Sequence, residues 1–493
     1  MSGSGIRSEA VSVSPGTIDI LFDTSGWEKG SRHVNQAIMP RLFDMIRRAD
    51  DCIILDMFLV NGFGGLPPQS EDAKAVTEAL ITALADKKRQ SPDTFILFIT
   101  DPINAVYAPR CPPAFEKLAA AGGCVVSTDL DQLRDSNLVY SPFYRVARPL
   151  FPLIPKLNKK ILDNPFDGEN TDLPKVSIAQ YARLLNFKAN HRKVAFIRGN
   201  DGNWEGLITS ANPHTASGLH GNVGIHLQAG PISQMVRSEY LIARASILSR
   251  PEYCFGGMSA PELTREIERR LKLLPIPAPS ASSNIETQAS TTTVQYLTEA
   301  EIGRKVDWML TGADEGDEVY LTMFYLADPE VIACLEAAAR RGASVRILLD
   351  PNKDAFGIKK DGVPNRVIAR RLLKNAEENG FDLNLRWFDT HGEQAHYKML
   401  QIRNPVSGKE QLLVGSANFT RRNLRGYNLE TAVYIQRAMD TGRQAAEFFD
   451  EMWHNRGTVR YTVGPETYVL EGLSYYCGRL KTFIGTRLGA GTY

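Results

Sequence analysis

Two stretches decide how the chain reads: His191-Arg192-Lys193-Val194-Ala195-Phe196-Ile197-Arg198 and His396-Tyr397-Lys398-Met399-Leu400-Gln401-Ile402-Arg403. Each opens on His-x-Lys and runs into an apolar segment. Thr209-Ser210-Ala211-Asn212 follows the first, and Gly415-Ser416-Ala417-Asn418 the second. Asn222 and Asn428 then come ten residues beyond each of those asparagines. Eight His and 20 Lys in 493 residues give by chance roughly a third of one H-x-K. Two copies, each followed by Ser-Ala-Asn at a matched distance, mark a duplicated unit.

Residues i and i+2 of a strand share a face, so His191 projects with Lys193 and His396 with Lys398. The polar stretches 199–204 and 404–409 read as hairpin turns, and the returning strands lead into Ser-Ala-Asn. Upstream the duplication continues. Asp50–Phe58 and Asp317–Phe324 read as buried strands, 74–87 and 329–341 as helices, and Phe95–Thr100 and Val345–Leu349 as second strands. Asp101-Pro102 and Asp350-Pro351 are strand-ending turns. Strand, helix, strand in each half predicts an α/β fold. The Pro/Ser/Thr-rich stretch 275–293 reads as a linker between an N-terminal domain, 16–274, and a C-terminal domain, 294–493.

If the halves pack about a pseudo-twofold axis, two His, two Lys and two Asn converge on one pocket. That set suits a phosphodiester. Lys and Asn donors neutralise the non-bridging oxygens, one His attacks phosphorus, and the other serves as acid and base.

These blocks, His191-x-Lys193 with Ser210-x-Asn212 and His396-x-Lys398 with Ser416-x-Asn418, resemble the phospholipase D superfamily. The resemblance covers roughly 53–453. It implies two α/β domains with mixed central sheets, one active site between them, and a phosphohistidine intermediate formed without metal or cofactor. By the family's habit His191 is the nucleophile and His396 the acid/base, with Lys193, Lys398, Asn212, Asn418 and Glu430 completing the catalytic set. Ser210, Ser416, His214, Asn222 and Asn428 are expected to contact substrate. His33, His226 and His454 read as packed or solvent-facing. The chain departs from the pattern twice. The Asp usual seven residues after each His is Arg198 and Arg403, and the first block has Gly224 where the second has Glu430.

The family acts on phospholipids, nucleic acids and other phosphodiesters. The segment Tyr140–Leu162 favours lipid, because apolar groups alternate with basic ones. Phe143, Tyr144, Arg145, Arg148, Phe151, Lys156, Lys159 and Lys160 are its expected membrane contacts. Four prolines exclude one continuous helix there. The tail 468–483 reads as core packing before a second apolar surface, and the basic residues of 359–374 as a solvated helix face before a phosphate-backbone or headgroup contact. The reading is therefore a phospholipase D-type enzyme that cleaves a phosphatidyl group or transfers it to an alcohol or water at a membrane surface. The alternatives are a nuclease and a non-catalytic lipid-binding scaffold.

Composition sets outer limits. Fifty-seven basic and 56 acidic residues leave a net charge of +1, so no global field gathers nucleic acid or anionic membrane. Six scattered cysteines contain no C-x-x-C and fit a reducing compartment. No H-E-x-x-H, P-loop or G-x-G-x-x-G occurs. The polar, Ser/Gly-rich start lacks an apolar signal core, and no apolar run nears the ~20 residues of a span. A cytoplasmic, peripherally membrane-associated protein is expected.

Overall fold

A computed structural model describes residues 5–62, 75–165, 175–199, 201–275, 291–355 and 358–489. Most of the expected linker, 276–290, lies outside the described residues.

The alternating apolar runs build two nine-stranded mixed sheets. The first runs Cys254–Gly256, Cys124–Ser127, Phe95–Thr100, Cys52–Met57, Lys193–Arg198, Trp204–Thr209, Asn222–Leu227, Ile18–Glu28 and Ser31–Asn35. The second runs Val11–Ser12, Thr293–Thr298, Thr431–Gln436, Lys409–Gly415, Lys398–Asn404, Glu318–Met323, Ser344–Leu349, Leu383–Phe388 and Thr462–Val463. Seven strands recur in the same order. Cys52–Met57 pairs in parallel with Phe95–Thr100 and antiparallel with the H-x-K strand Lys193–Arg198, and Glu318–Met323 does the same with Ser344–Leu349 and Lys398–Asn404. The predicted hairpins close both H-x-K strands, pairing Trp204 with Arg198 and Lys409 with Asn404.

Side-chain alternation sorts the core into layers. Ile53, Leu55 and Met57 face the helices Ile38–Arg48 and Ala75–Gln90. Cys52 and Ile54 face inward, into one apolar core shared with the second sheet. Two long helices, Ile232–Ser249 and Met439–His454, supply Met235, Tyr240, Phe448 and Phe449 to that shared core. The parallel strands are therefore covered on both faces, as such strands require.

Backbone hydrogen bonds stitch the halves together where the blocks meet. The His191 N–H donates to the Leu429 carbonyl at 2.9 Å, and the His396 N–H to the Gly221 carbonyl at 2.7 Å. Each histidine is thus held by the segment that carries the other block's asparagine and, in one case, its glutamate. Gly221 is required there: a Cβ would stand 2.4 Å from the Tyr397 hydroxyl.

Candidate active site

Both H-x-K strands begin at the lysine, so each histidine sits just ahead of its strand. The two halves then repeat one arrangement. Lys193 Nζ donates to the His191 carbonyl at 2.8 Å, and Lys398 Nζ to the His396 carbonyl at 2.8 Å. Phe58 packs on His191 with ring centroids 4.8 Å apart, and Phe324 on His396 at 5.0 Å. The same rings sit 5.1 and 5.2 Å from the two ammonium groups. Asp101 accepts from the peptide N–H of Asn190 at 2.7 Å, and Asp350 from that of Ala395 at 2.8 Å. These are the residues just before each histidine. The two Asp-Pro turns end strands as expected, and they also clamp the H-x-K backbone.

The imidazoles differ in what lies behind them. His191 Nδ1 meets the buried Glu430 carboxylate at 3.0 Å. Ser416 Oγ donates to the same carboxylate at 2.5 Å, and Asn423 Nδ2 also donates to it. His396 Nδ1 instead meets the Ser210 carbonyl at 2.9 Å. The first block has Gly224 at the glutamate position, so a neutral peptide oxygen takes that place. In both rings Nδ1–H is the donor the geometry requires, which leaves Nε2 as the free nitrogen.

Burial and charge set the protonation states. Burial pushes His191 down to about 4, against the pull of Glu430. Burial, then Lys398 and Lys193, hold His396 well below the usual imidazole range. Burial brings Lys193 down to about 7, with Glu430, Asp56 and Asp101 opposing, and lowers Lys398 further from the ordinary lysine value. Burial alone would raise Glu430, but His191, Lys193 and Ser416 hold its carboxyl below the usual range. The site is thus short of negative charge, and an anion is what relieves its crowded cations.

The remaining expected site residues fall into two groups. Asn212 and Asn418 are buried within the blocks; Asn212 Oδ1 accepts from the Leu59 N–H at 3.4 Å, and Asn418 Oδ1 is buried with no protein partner among the described residues. Ser210 Oγ donates to Asn222 at 3.2 Å, and Asn428 Oδ1 accepts from the Ala189 N–H at 3.2 Å, so these polar groups are engaged within the framework. His214 is buried, and its charge adds to burial in pushing His220 down to about 3. His220 itself lies 6.2 Å from His396, ring to ring. His220 stands with His214, which the sequence also placed beside the first block, and the additions to the expected set are Phe58, Phe324, Asp101 and Asp350. The signal for these four was present, since Met-Phe and Asp-Pro both recur at matched positions. Arg198 and Arg403, where the resemblance implies Asp, lie at the far ends of their strands. They meet Asp51 at 3.2 Å and Glu318 and Glu410 at 3.8 and 3.7 Å. No group of three or more His, Cys, Asp or Glu among the described residues could hold a metal ion.

The 140–162 segment is partly corrected. It forms a short helix, Ser141–Ala147, then 3-10 turns, as its prolines demand. Phe143, Arg145, Lys156, Lys159 and Lys160 are exposed, and Arg148 and Phe151 half-buried. Tyr144 is not a surface residue. It is 5% exposed and lines a small cavity with Tyr107, Arg183 and Tyr253. No helix among the described residues is long and apolar enough to cross a membrane.

Residues 309–453 match the family described as cardiolipin synthase, PLD-like domain. No curated protein matches the chain. Among solved structures the fold is similar to phosphatidylserine synthase of Haemophilus influenzae Rd KW20, at 10% identity and TM-score 0.57, over 98% of this chain and 95% of that one. Polyphosphate kinase of Porphyromonas gingivalis aligns at 13% identity and TM-score 0.40, over 90% of this chain and 53% of that one. The phospholipase D family member Nuc of Salmonella typhimurium aligns at 20% identity and TM-score 0.26, over 34% and 97%. Residues 309–453 thus carry the sequence pattern of a PLD-like domain, and the whole chain shares the two-domain α/β fold of one phosphatidylserine synthase.

Proposed function

We propose that the chain transfers a phosphatidyl group, to an alcohol or to water, through a phosphohistidine on His191. The unequal backing of the two imidazoles carries this reading. His191 Nε2 attacks phosphorus, the P–O bond to the leaving group breaks, and His396 gives its proton to the departing oxygen. In the second step His396 takes a proton from the acceptor hydroxyl, whose oxygen bonds phosphorus as the P–N bond breaks. Glu430 favours His191 as nucleophile, because a carboxylate on Nδ1 stabilises the cationic phospho-imidazole. A neutral carbonyl behind His396 lets it release a proton easily, which suits an acid/base. Lys193, Lys398, Asn212 and Asn418 hold the non-bridging oxygens. The halves 16–274 and 294–493 each supply half of this site, so neither half works alone. The substrate's charge offsets the lysines and raises His396 enough to carry its proton.

The test is incubation with phosphatidylglycerol vesicles, with and without added alcohol, and mass spectrometry of the lipids. Expected products are phosphatidic acid in water and a new phosphatidyl-alcohol when alcohol is present. Cleavage of DNA or RNA in EDTA with no lipid turnover would overturn the lipid reading.

The protonation states predict a bell-shaped pH profile of kcat/KM. His191 must be neutral, so activity rises through about pH 4. His396 must bring a proton and Lys193 must be charged, so activity falls as pH rises, first through the depressed value of the free His396 and again through about 7. Asp101, pushed up to about 7 by burial, titrates alongside it. In the complex the phosphodiester anion stabilises the ammonium, so the basic limb of kcat lies at higher pH. In Glu430→Gln the acid limb moves below 4, because the carboxylate that raised His191 is gone. A profile flat from pH 4 to 8 would contradict this account.

A further inference from the structure

The C-terminal helix Gly472–Arg487 is built inside out for a water-soluble surface. Its buried face consists of Gly478, Thr482, Gly485 and Thr486. Its large apolar residues, Leu473, Tyr476, Leu480 and Phe483, lie on the outside, with Leu473 79% and Leu480 61% exposed. An amphipathic helix on a soluble protein turns such residues to the core. This one also differs from the expectation that the tail packs inward.

Its seat explains the inversion. Gly478 lies against Val367 of the helix Asn365–Asn379, where a Cβ would come within 2.8 Å. Arg370 of that helix stacks over Tyr475 at 4.2 Å and donates to the Leu470 carbonyl. The basic face of 365–379 is thus partly spent on holding the tail in place.

The helix is continuous with the 140–162 segment. The Leu138 N–H donates to the Leu488 carbonyl at 3.0 Å. Beyond that junction Phe143 and Val146 are 75% and 77% exposed. The joined surface is also tied to the site. Arg422 donates to the Gly489 carbonyl at 2.8 Å and to the Phe187 carbonyl at 2.9 Å, four residues before His191.

Charge decides what covers this surface. Residues 136–162 and 472–493 together hold eight Lys or Arg and no Asp or Glu, in a chain whose net charge is +1. Lys156, Lys159 and Lys160 are exposed and carry no ion pair among the described residues. Arg145, Arg148 and Lys481 are paired with Asp135, Asp131 and Asp361, so a second copy would set the remaining cations, the three lysines foremost, against one another. An anionic lipid surface satisfies both the apolar stripe and the cations.

We propose that the outward face of helix 472–487 and the 138–161 segment form one lipid-docking surface, which lays the mouth of the His191/His396 site against an anionic bilayer. This rests on the phosphatidyl-transfer reading for its purpose, but its test is separable.

Full-length protein is floated with vesicles of phosphatidylglycerol and phosphatidylcholine, or of phosphatidylcholine alone. Wild type is expected to float with the anionic vesicles and to be released by salt. Leu480→Asp with Phe483→Asp should lower the bound fraction about tenfold, with an unchanged melting temperature and unchanged turnover of a water-soluble diester. His191→Asn should float like wild type. Vesicle binding without lipid turnover would defeat the transfer reading and leave the docking surface standing. Wild type that stays at the bottom of the gradient, or a double variant that floats undiminished, would overturn the docking surface. So would a lipid-free dimer that the double variant dissolves.

Discussion

His191→Asn is expected to lower turnover by about 10⁴-fold or more, while His396→Asn stalls the enzyme after its first step. In the first variant no imidazole faces phosphorus with a carboxylate behind it, since His396 is backed only by the Ser210 carbonyl. In the second, His191 and Glu430 are intact. With a leaving group that departs without protonation, such as p-nitrophenolate, attack still proceeds and phosphorus stays on His191. Nothing then activates the acceptor, so the P–N bond persists. The check is intact-protein mass spectrometry of His396→Asn after mixing with a p-nitrophenyl phosphodiester. One acid-labile adduct per chain, mapped to residue 191, is expected together with a burst of one p-nitrophenolate. An adduct on residue 396 of His191→Asn, and none on residue 191 of His396→Asn, would reverse the two roles. Wild-type turnover in either variant would remove covalent catalysis altogether.

Most of this arrangement is written in the repeat. The duplicated spacings predict the strand order, the hairpins and the convergence of two His-x-Lys pairs, because local periodicity and turn chemistry act in both halves alike. Sequence reasoning also notices that Gly224 breaks the symmetry. It does not show what the break does, since the Ser210 carbonyl that replaces a carboxylate is backbone and leaves no residue signature. Arg198 and Arg403 look like damage to the motif, yet Arg198 meets Asp51 just ahead of the neighbouring strand and Arg403 meets Glu318 on it, far from the lysine. Pairings across strands depend on register, which a run of apolar residues does not specify residue by residue. The tail failed for a different reason. Leu473, Tyr476, Leu480 and Phe483 have helical spacing, and periodicity says which residues share a face but not whether that face meets core or lipid.

The middle residue of each H-x-K is where the halves lock, and it carries the largest expected stability effect. Alternation sends it to the side of the strand away from His and Lys. Tyr397 reaches across to the first half, donating to the Asp23 carbonyl at 2.8 Å. Arg192 does the same by ionic means. Its buried guanidinium donates to Glu239 at 2.7 Å, to Ser238 at 2.8 Å, and across the halves to Glu299 at 2.6 Å. Glu299 holds its position with a φ of +46°, which a side chain other than glycine adopts rarely. It also accepts from the Glu430 N–H at 3.3 Å. Burial, then Glu239, raise the Asp56 carboxyl well above its usual range. Removing Arg192 leaves two carboxylates buried without their cation, a loss of about 3–5 kcal/mol. Tyr397→Phe removes one neutral hydrogen bond and costs only about 0.5–1.5 kcal/mol. Arg192→Met should therefore melt well below Tyr397→Phe. Adding Glu239→Gln and Glu299→Gln to Arg192→Met should recover much of the loss, because no buried charge is then left unpaired. Equal melting of Arg192→Met and Tyr397→Phe would show that the lock is packing rather than charge. Where Arg192→Met stays folded at low temperature, its acid limb of kcat/KM should move toward that of Glu430→Gln, because Glu299 no longer fixes the segment that carries Glu430.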